Sequence, residues 1–279
     1  MEGLVDIEEK SSTDVAKVYT QFANSEWERL ARAPYQELEF LITMYYLRRY
    51  LPSYGIILDA GGGPGRYSLE LCRDGRDVVL CDIAQGNIEL AKEKLLAETK
   101  DVRAHLLDAN IGDIRHLDYP SDHFSATLCL GGPLSHLPDP ADRQQAVKEL
   151  VRVTKPGGMV ALTGIGYLSI LRQIMAEFDH ELTNGSLDDL LKDGNTYGPG
   201  RMRWHFFRAD ELRKLAEASG LTTITMVGCQ GLSTGLEDAT NQLYEDKEKW
   251  QRWFDLLLDT ASEPAVVDMG DHILYVGRA

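Results

Sequence analysis

Apolar positions along this chain keep two different rhythms, and the change from one to the other divides it. Residues 12 to 50 have a helical pattern, broken at Pro34, whose missing N–H costs nothing in the first turn of a second helix. Within that second helix Leu38, Leu41, Ile42 and Tyr45 recur at three- and four-residue spacing, which predicts one buried face. Pro52, Ser53, Tyr54 and Gly55 then form a turn. From Ile56 onward short apolar runs alternate with amphipathic stretches. Strands are predicted near 56–60, 77–82, 103–107, 124–130 and 158–164, with helices near 65–74, 85–99 and 139–153. Strand–helix alternation of this kind implies a doubly wound, mostly parallel sheet in the α/β class. Gly75, the Gly157-Gly158 pair and Gly220 fall where the chain has to reverse.

The regularity lapses between about 166 and 207, where two helices lead into Gly194-Asn195-Thr196-Tyr197-Gly198-Pro199-Gly200, a stretch suited to a mobile cover. A helix at 208–218, a strand near 222–230, a long helix around 236–259 and a last strand from His272 to Gly277 complete the pattern.

Composition narrows the possibilities. With 279 residues, 43% of them hydrophobic, the chain can bury one sizeable core. Within the first helical region the longest apolar or aromatic run, Met44 to Leu47, is far too short to span a bilayer, and the acidic start lacks the pattern of a secretory signal. These features predict a cytoplasmic protein with no membrane association. Cys72, Cys81, Cys129 and Cys229 lie far apart in apolar surroundings and are expected to be buried free thiols. Forty-four acidic against 29 basic residues give a net charge of −15, which repels phosphate backbones and argues against a nucleic-acid partner.

The chemistry begins at Ile56-Ile57-Leu58-Asp59-Ala60-Gly61-Gly62-Gly63-Pro64-Gly65-Arg66-Tyr67, a strand that runs into a glycine loop and then a helix. Ligands of open α/β sheets bind beyond the carboxyl ends of the strands. Glycines at 61, 63 and 65 let the backbone approach such a ligand, and the helix start offers unpaired N–H groups. Asp82 ends the second predicted strand, where its carboxylate suits both hydroxyls of a ribose. Asp108 ends the third, where it suits an adenine amino group. The nicotinamide-dinucleotide fingerprint G-x-G-x-x-G, counted from Gly61, needs glycine at the position of Arg66 and fails there.

Asp59-Ala60-Gly61-Gly62-Gly63-Pro64-Gly65, Asp82, Asp108 and the Lys155-Pro156-Gly157-Gly158 turn resemble class I S-adenosylmethionine-dependent methyltransferases. The resemblance covers roughly residues 15–165, and more loosely the rest. It implies a Rossmann-like, seven-stranded sheet with S-adenosyl-L-methionine as cofactor. It divides the chain into an N-terminal helical cap (1–54), a cofactor-binding core (55–165), a substrate lid (166–207) and the C-terminal part of the sheet (208–279). It counts Asp59 among the cofactor-binding residues and implies that Gly61, Gly63 and Gly65 line the methionine portion. It further implies that Asp82 meets the ribose, Ile83 one adenine face, and Asp108 with Ala109 the adenine edge. The chain from Leu130 to Leu137 would pass beneath the sulfonium, and Tyr19, Phe22 and Trp27 are candidates to close over the cofactor.

Methyl transfer from a sulfonium is an in-line displacement, so the protein has mainly to align the reactants, an effect that supplies about 7–11 kcal/mol. A general base is required only for an acceptor that arrives protonated. His136, after the fourth strand, is the candidate base, or else it simply packs the turn before Pro138. Tyr19 is a candidate to hold the acceptor or sulfonium, or a packing residue. Strand-like alternation in Arg201-Met202-Arg203-Trp204-His205-Phe206 puts Arg201, Arg203 and His205 on one face, facing either the cleft or solvent. Tyr197, Arg203 and His205 are the candidate substrate residues. His116, His123 and His180 lack paired metal-ligand spacing, and no metal is expected. The favoured activity is methylation of an O, N, S or C nucleophile of a small molecule. The alternatives are a nucleotide-dependent oxidoreductase, a cofactor-binding regulatory protein and an enzyme that methylates a macromolecule.

Overall fold

The computed structural model describes residues 12–183, 185–197 and 202–279. Two helices, α1 (Ser12–Arg29) and α2 (Pro34–Tyr50), precede β1 (Ile57–Ala60), α3 (Arg66–Arg73), β2 (Val78–Asp82), α4 (Gln85–Leu96), α5 (Lys100–Ala104) and β3 (Leu106–Ile111). Then come β4 (Phe124–Cys129), a 3-10 turn at Pro133–His136, α6 (Pro140–Val153), β5 (Thr154–Ile165), α7 (Tyr167–Glu177), α8 (Ser186–Asp193) and the short strands β6 (Asn195–Tyr197) and β7 (Arg203–His205). The chain ends with α9 (Ala209–Ala218), β8 (Thr222–Gly228), α10 (Glu237–Tyr244), α11 (Lys247–Thr260), α12 (Pro264–Met269) and β9 (His272–Arg278).

Seven strands form one sheet in the order β3-β2-β1-β4-β5-β9-β8; β1 to β5 pair in parallel, and β9 runs antiparallel between β5 and β8. Helices cover both faces, so the predicted α/β, mostly parallel sheet is the observed one. Successive residues of the central strands bury on opposite sides: Ile57, Leu128 and Ala161 pack with Leu38, Ile42 and Leu47 of α2, whereas Leu58, Cys129 and Val160 pack with Val147 and Leu150 of α6 and Leu212 of α9. Burial on both faces explains why these strands are apolar throughout rather than alternating.

Three details differ from the sequence pattern. The buried stripe of α2 is Tyr35, Leu38, Glu39, Ile42, Thr43, Tyr46 and Leu47, with Met44 beside it, while Tyr45 is exposed; polar Glu39 and Thr43 belong to the stripe because Arg29 and Cys229 meet them. The region expected to begin the third strand is instead the helix α5, capped by Thr99 at the Val102 N–H, which delays β3 to Leu106–Ile111. The expected long helix after 236 is two helices, because Asp246 leaves the first and caps the second through the Lys249 N–H.

The segment after β5 leaves and returns at one point: Phe207 donates its N–H to the Ile165 carbonyl, and Tyr167 donates to the Phe207 carbonyl. Between these anchors stand α7, α8 and the β6–β7 hairpin. Arg201 and the Gly198-Pro199-Gly200 stretch lie outside the described residues. The four cysteines are buried free thiols. Among the described residues no helix is long and apolar enough to cross a membrane.

Candidate active site

Strand order reverses at β1, which has β2 on one side and β4 on the other, and this switch point opens a crevice beyond the carboxyl ends. The chain leaving β1 is fastened there, for the Gly61 and Gly62 N–H groups both donate to the Cys81 carbonyl, at 2.7 and 3.2 Å. Gly61 has φ +71°, and a Cβ on it would stand 2.7 Å from Pro133. Gly63 has φ +57° and nearly empty space beside it. Only glycine meets both demands without strain. Gly65, the N-cap of α3, lies behind the crevice, where a Cβ would press on Ala91 of α4 at 3.1 Å. Its absent side chain serves helix packing rather than a ligand.

Asp59 corrects an expectation. It has no exposure and sits beneath the loop, with its carboxyl where a Gly62 Cβ would point. One oxygen accepts from the Ser68 hydroxyl at 2.7 Å, and the other has no partner. Burial pushes this carboxyl up to about 6. Asp59 supports the loop and forms no part of the crevice wall.

Asp82, at the end of β2, does reach the crevice. It accepts from the Gly63 N–H at 2.8 Å, the Ala84 N–H at 2.8 Å and the Asn87 amide at 3.0 Å. Roughly three of a carboxylate's four acceptor sites are thus filled, which fixes its orientation and leaves capacity for one further donor. Burial raises its affinity for a proton. Ile83 and Asn87 continue the wall, and Asn87 Oδ1 is buried without a partner.

Asp108 and Ala109 do not join them. Asp108 pairs with Val79 inside β3, is exposed, and turns its carboxylate to the Ala109 N–H and the Asn110 amide. Ala109 faces Ile88 and Ala91 of α4. Because α5 postponed the strand, Ile111 rather than Asp108 lies opposite Asp82, and the acid that reaches the crevice is Asp113. Burial alone would raise the Asp113 carboxyl, but the Arg115 guanidinium and N–H donate to it and hold it below the usual carboxylate range. Its sequence signal is Gly112-Asp113-Ile114, which begins five residues past the expected strand.

β4 delivers Leu130, Gly131 and Gly132, then the Pro133–His136 turn, which is pinned by the Gly132 N–H on Thr163 Oγ1 and by Ser135 Oγ accepting from Ile165 N–H. Tyr19 of α1 lies across this turn, its hydroxyl 2.8 Å from His136 Nε2. Trp204 of β7 stands edge-on to the same imidazole, centroids 4.6 Å apart. Burial lowers His136 to about 4, so the ring is neutral at physiological pH. Burial and nearby Glu26 push the Tyr19 phenol well above its ordinary value. His136 Nδ1 and Trp204 Nε1 are both buried without a partner.

These elements enclose a cavity of about 140 Å³, walled by Gly61, Gly63, Asp82, Ile83, Asp113, Leu130, His136 and, from α1, Tyr19, Glu26 and Arg29. Phe22 is 52% exposed, and Trp27 serves as a platform for Arg66 and Lys94. The three expected substrate residues are elsewhere. His205 is buried between Asn195 Oδ1 (3.0 Å) and Glu211 Oε1 (2.7 Å), Arg203 pairs with Asp193, and Tyr197, opposite Arg203 in the hairpin, is also off the cavity wall. The hairpin turns its other face inward, carrying Met202, Trp204 and Phe206.

Comparison with known proteins agrees with this geometry. Residues 57–158 match a model of the methyltransferase domain. The chain is 25% identical over 215 residues to Methyltransferase GfsG of Streptomyces halstedii, covering 75% of this chain and 64% of that one, a little under two thirds. It is 27% identical over 225 residues to the malonyl-[acyl-carrier protein] O-methyltransferase of Salmonella typhimurium, covering 77% and 79%. A crystal structure of a SAM-dependent methyltransferase from Methanosarcina mazei shares the fold, with TM-score 0.59 at 20% identity over 84% of this chain and 96% of the other. With its switch-point glycine loop, the chain carries a methyltransferase domain over residues 57–158 and is similar in sequence and fold to S-adenosylmethionine-dependent methyltransferases.

Proposed function

We propose that this protein moves the methyl group of S-adenosylmethionine to a small acceptor, or to a small group on a carrier, seated between the Tyr19–His136 pair and the β6–β7 hairpin. The observation that carries this reading is the convergence of Gly61, Gly63, Asp82, Asp113 and His136 on one cavity at the switch point. The walls fit the cofactor: Gly63 has open space where a side chain would intrude, Asp82 retains acceptor capacity, and Asn87 Oδ1 lacks a partner. In our reading Gly61 and Gly63 border the methionine portion, Asp82 takes the ribose, Ile83 covers an adenine face and Asp113 receives the adenine amino group. Leu130 floors the sulfonium end.

The cofactor supplies a carbon already activated for displacement. The chain's own task is to orient and exclude water, and orientation of this kind is worth about 7–11 kcal/mol. Tyr19 and His136 hold each other in place at the acceptor end, and Trp204 closes its side. A net charge of −15 opposes a nucleic-acid acceptor, and four free thiols suit a reducing cytoplasm. The Salmonella relative is named for O-methylation of a carrier-bound malonyl group, which favours oxygen as the receiving atom.

Calorimetric titration with S-adenosylmethionine tests the cofactor half. We expect saturable binding that Asp82→Ala weakens by about 1.5–3 kcal/mol, the range for hydrogen bonds to a charged group. Nicotinamide-nucleotide binding in place of S-adenosylmethionine would overturn the reading. Incubation with methyl-labelled cofactor and a metabolite extract, followed by mass spectrometry, tests the transfer half.

A further inference from the structure

Resting on that methyl-transfer reading, we propose that the corner between His136 and Trp204 receives a carboxylate, which leaves as its methyl ester, and that His136 acts there as a hydrogen-bond donor and not as a base. The protons at this corner can be counted. Among the described residues, the Tyr19 hydroxyl has one hydrogen-bond partner, His136 Nε2 at 2.8 Å. A phenol so enclosed must place its proton somewhere, so Tyr19 donates and Nε2 accepts. A neutral imidazole whose Nε2 accepts carries its own proton on Nδ1. The indole Nε1 of Trp204 is a donor under any condition.

Both donors are buried and unpartnered, on rings held edge to face 4.6 Å apart. A buried N–H without a partner costs about 1–3 kcal/mol, and native structures rarely leave two on adjoining rings. The pair therefore asks for one group that presents two lone pairs. No lone pair of the imidazole remains to take a proton from the incoming molecule, since Tyr19 occupies the only one. No carboxylate side chain bonds to the ring to strengthen it as a base.

An alcohol or a protonated amine would bring its own hydrogen against these two N–H donors, and the imidazole has no free lone pair to remove that hydrogen. A carboxylate brings two acceptor oxygens and is already nucleophilic at neutral pH. The step then balances without a proton: a carboxylate oxygen lone pair forms the O–CH₃ bond, the C–S bond breaks, and its electron pair stays on sulfur. The negative charge of the acid and the positive charge of the sulfonium vanish together. Neutral donors suit that change, because they hold the anion in place without trapping it as a fixed cation would.

Two measurements in solution and one on the products test this. In ¹⁵N-histidine-labelled protein, with His136→Gln used for assignment, the His136 signals should show protonated Nδ1 and bare Nε2; the opposite tautomer would overturn the proposal. Monoethyl malonate should shift the Trp204 indole N–H resonance, assigned with Trp204→Phe, while the neutral diethyl ester should not. Equal responses, or none to the acid, would overturn it. Label transferred from the cofactor to metabolites should be released as methanol by mild alkali. Alkali-stable labelled products would overturn the carboxylate assignment and leave methyl transfer standing, whereas cofactor binding with no labelled product would remove both.

Discussion

Gly61 holds a φ of +71° and would set any Cβ 2.7 Å from Pro133, a conformation and a contact that admit glycine alone. Gly61→Ala should cost about 1–3 kcal/mol of stability, the range for a residue held in a strained backbone region. Because the strain falls on the crevice wall, cofactor affinity should drop at least tenfold in the same variant. Urea melts and calorimetry measure the two effects, and an unstrained, fully binding variant would contradict the described loop. Asp113 was missed because a one-residue acid signal depends on knowing where its strand ends, and α5 moved that end by several residues.

Asp59 and His136 make opposing contributions to acid stability. The Asp59 carboxyl is raised from 3.8 to about 6, so between those values the folded form holds more protons than the unfolded one, and stability falls as pH rises. His136 is lowered from 6.5 to about 4, so there the unfolded form holds more protons and stability rises with pH. The windows overlap, and each shift is worth on the order of 3 kcal/mol. Asp59→Asn removes the first effect alone. The variant should therefore be more stable than the parent at pH 7 and lose more stability between pH 6.5 and 4. Parallel stability–pH curves would show that Asp59 is not the buried carboxyl described.

Helices and strands were more legible than their faces. Pro34 marked the start of α2, and the apolar runs marked five parallel strands, because propensity and punctuation are local. Which side of α2 is buried depends on what packs against it. Leu38 and Ile42 were on the predicted face and are buried, whereas Tyr45 is exposed and Glu39 is buried. Leu38→Ala should cost about 2–5 kcal/mol, as truncations in well-packed cores do. Tyr45→Ala should stay within about 0.5 kcal/mol. Chemical denaturation of the two variants distinguishes the observed stripe from the expected one, which predicts similar losses at both. The β6–β7 hairpin was not legible as a hairpin, since three-residue strands give too little alternation and the pairing is set by the distant anchor at Ile165 and Phe207.

At the scale of the whole molecule, strand order follows from the alternation of strands and helices, and the crevice follows from strand order. The end we propose for the acceptor does not, because the Tyr19–His136–Trp204 cluster is assembled from three parts far apart in sequence: α1, the turn after β4 and the returning hairpin. Helix α1 is the weakest of these attachments. Between Val15 and Arg29 its only fully buried side chain is Ala23, and it is held by contacts such as Tyr19 on His136, the Trp27 carbonyl on Arg66 and Thr20 on the Gly86 N–H. A segment with little buried apolar surface opens at low free energy and exchanges its amide hydrogens early. Yet it also supplies Tyr19, Glu26 and Arg29 to the cavity wall, so a ligand that touches both α1 and the sheet binds the closed form alone. At a hundred times its dissociation constant such a ligand stabilises that form by about 2.7 kcal/mol. We therefore expect S-adenosylhomocysteine to slow hydrogen exchange across Ser12–Arg29 by up to about a hundredfold, with β8 at the far edge of the sheet unchanged. Protection confined to the glycine loop, with α1 exchanging as before, would mean that the helix is a bystander and that Tyr19 does not belong to the site.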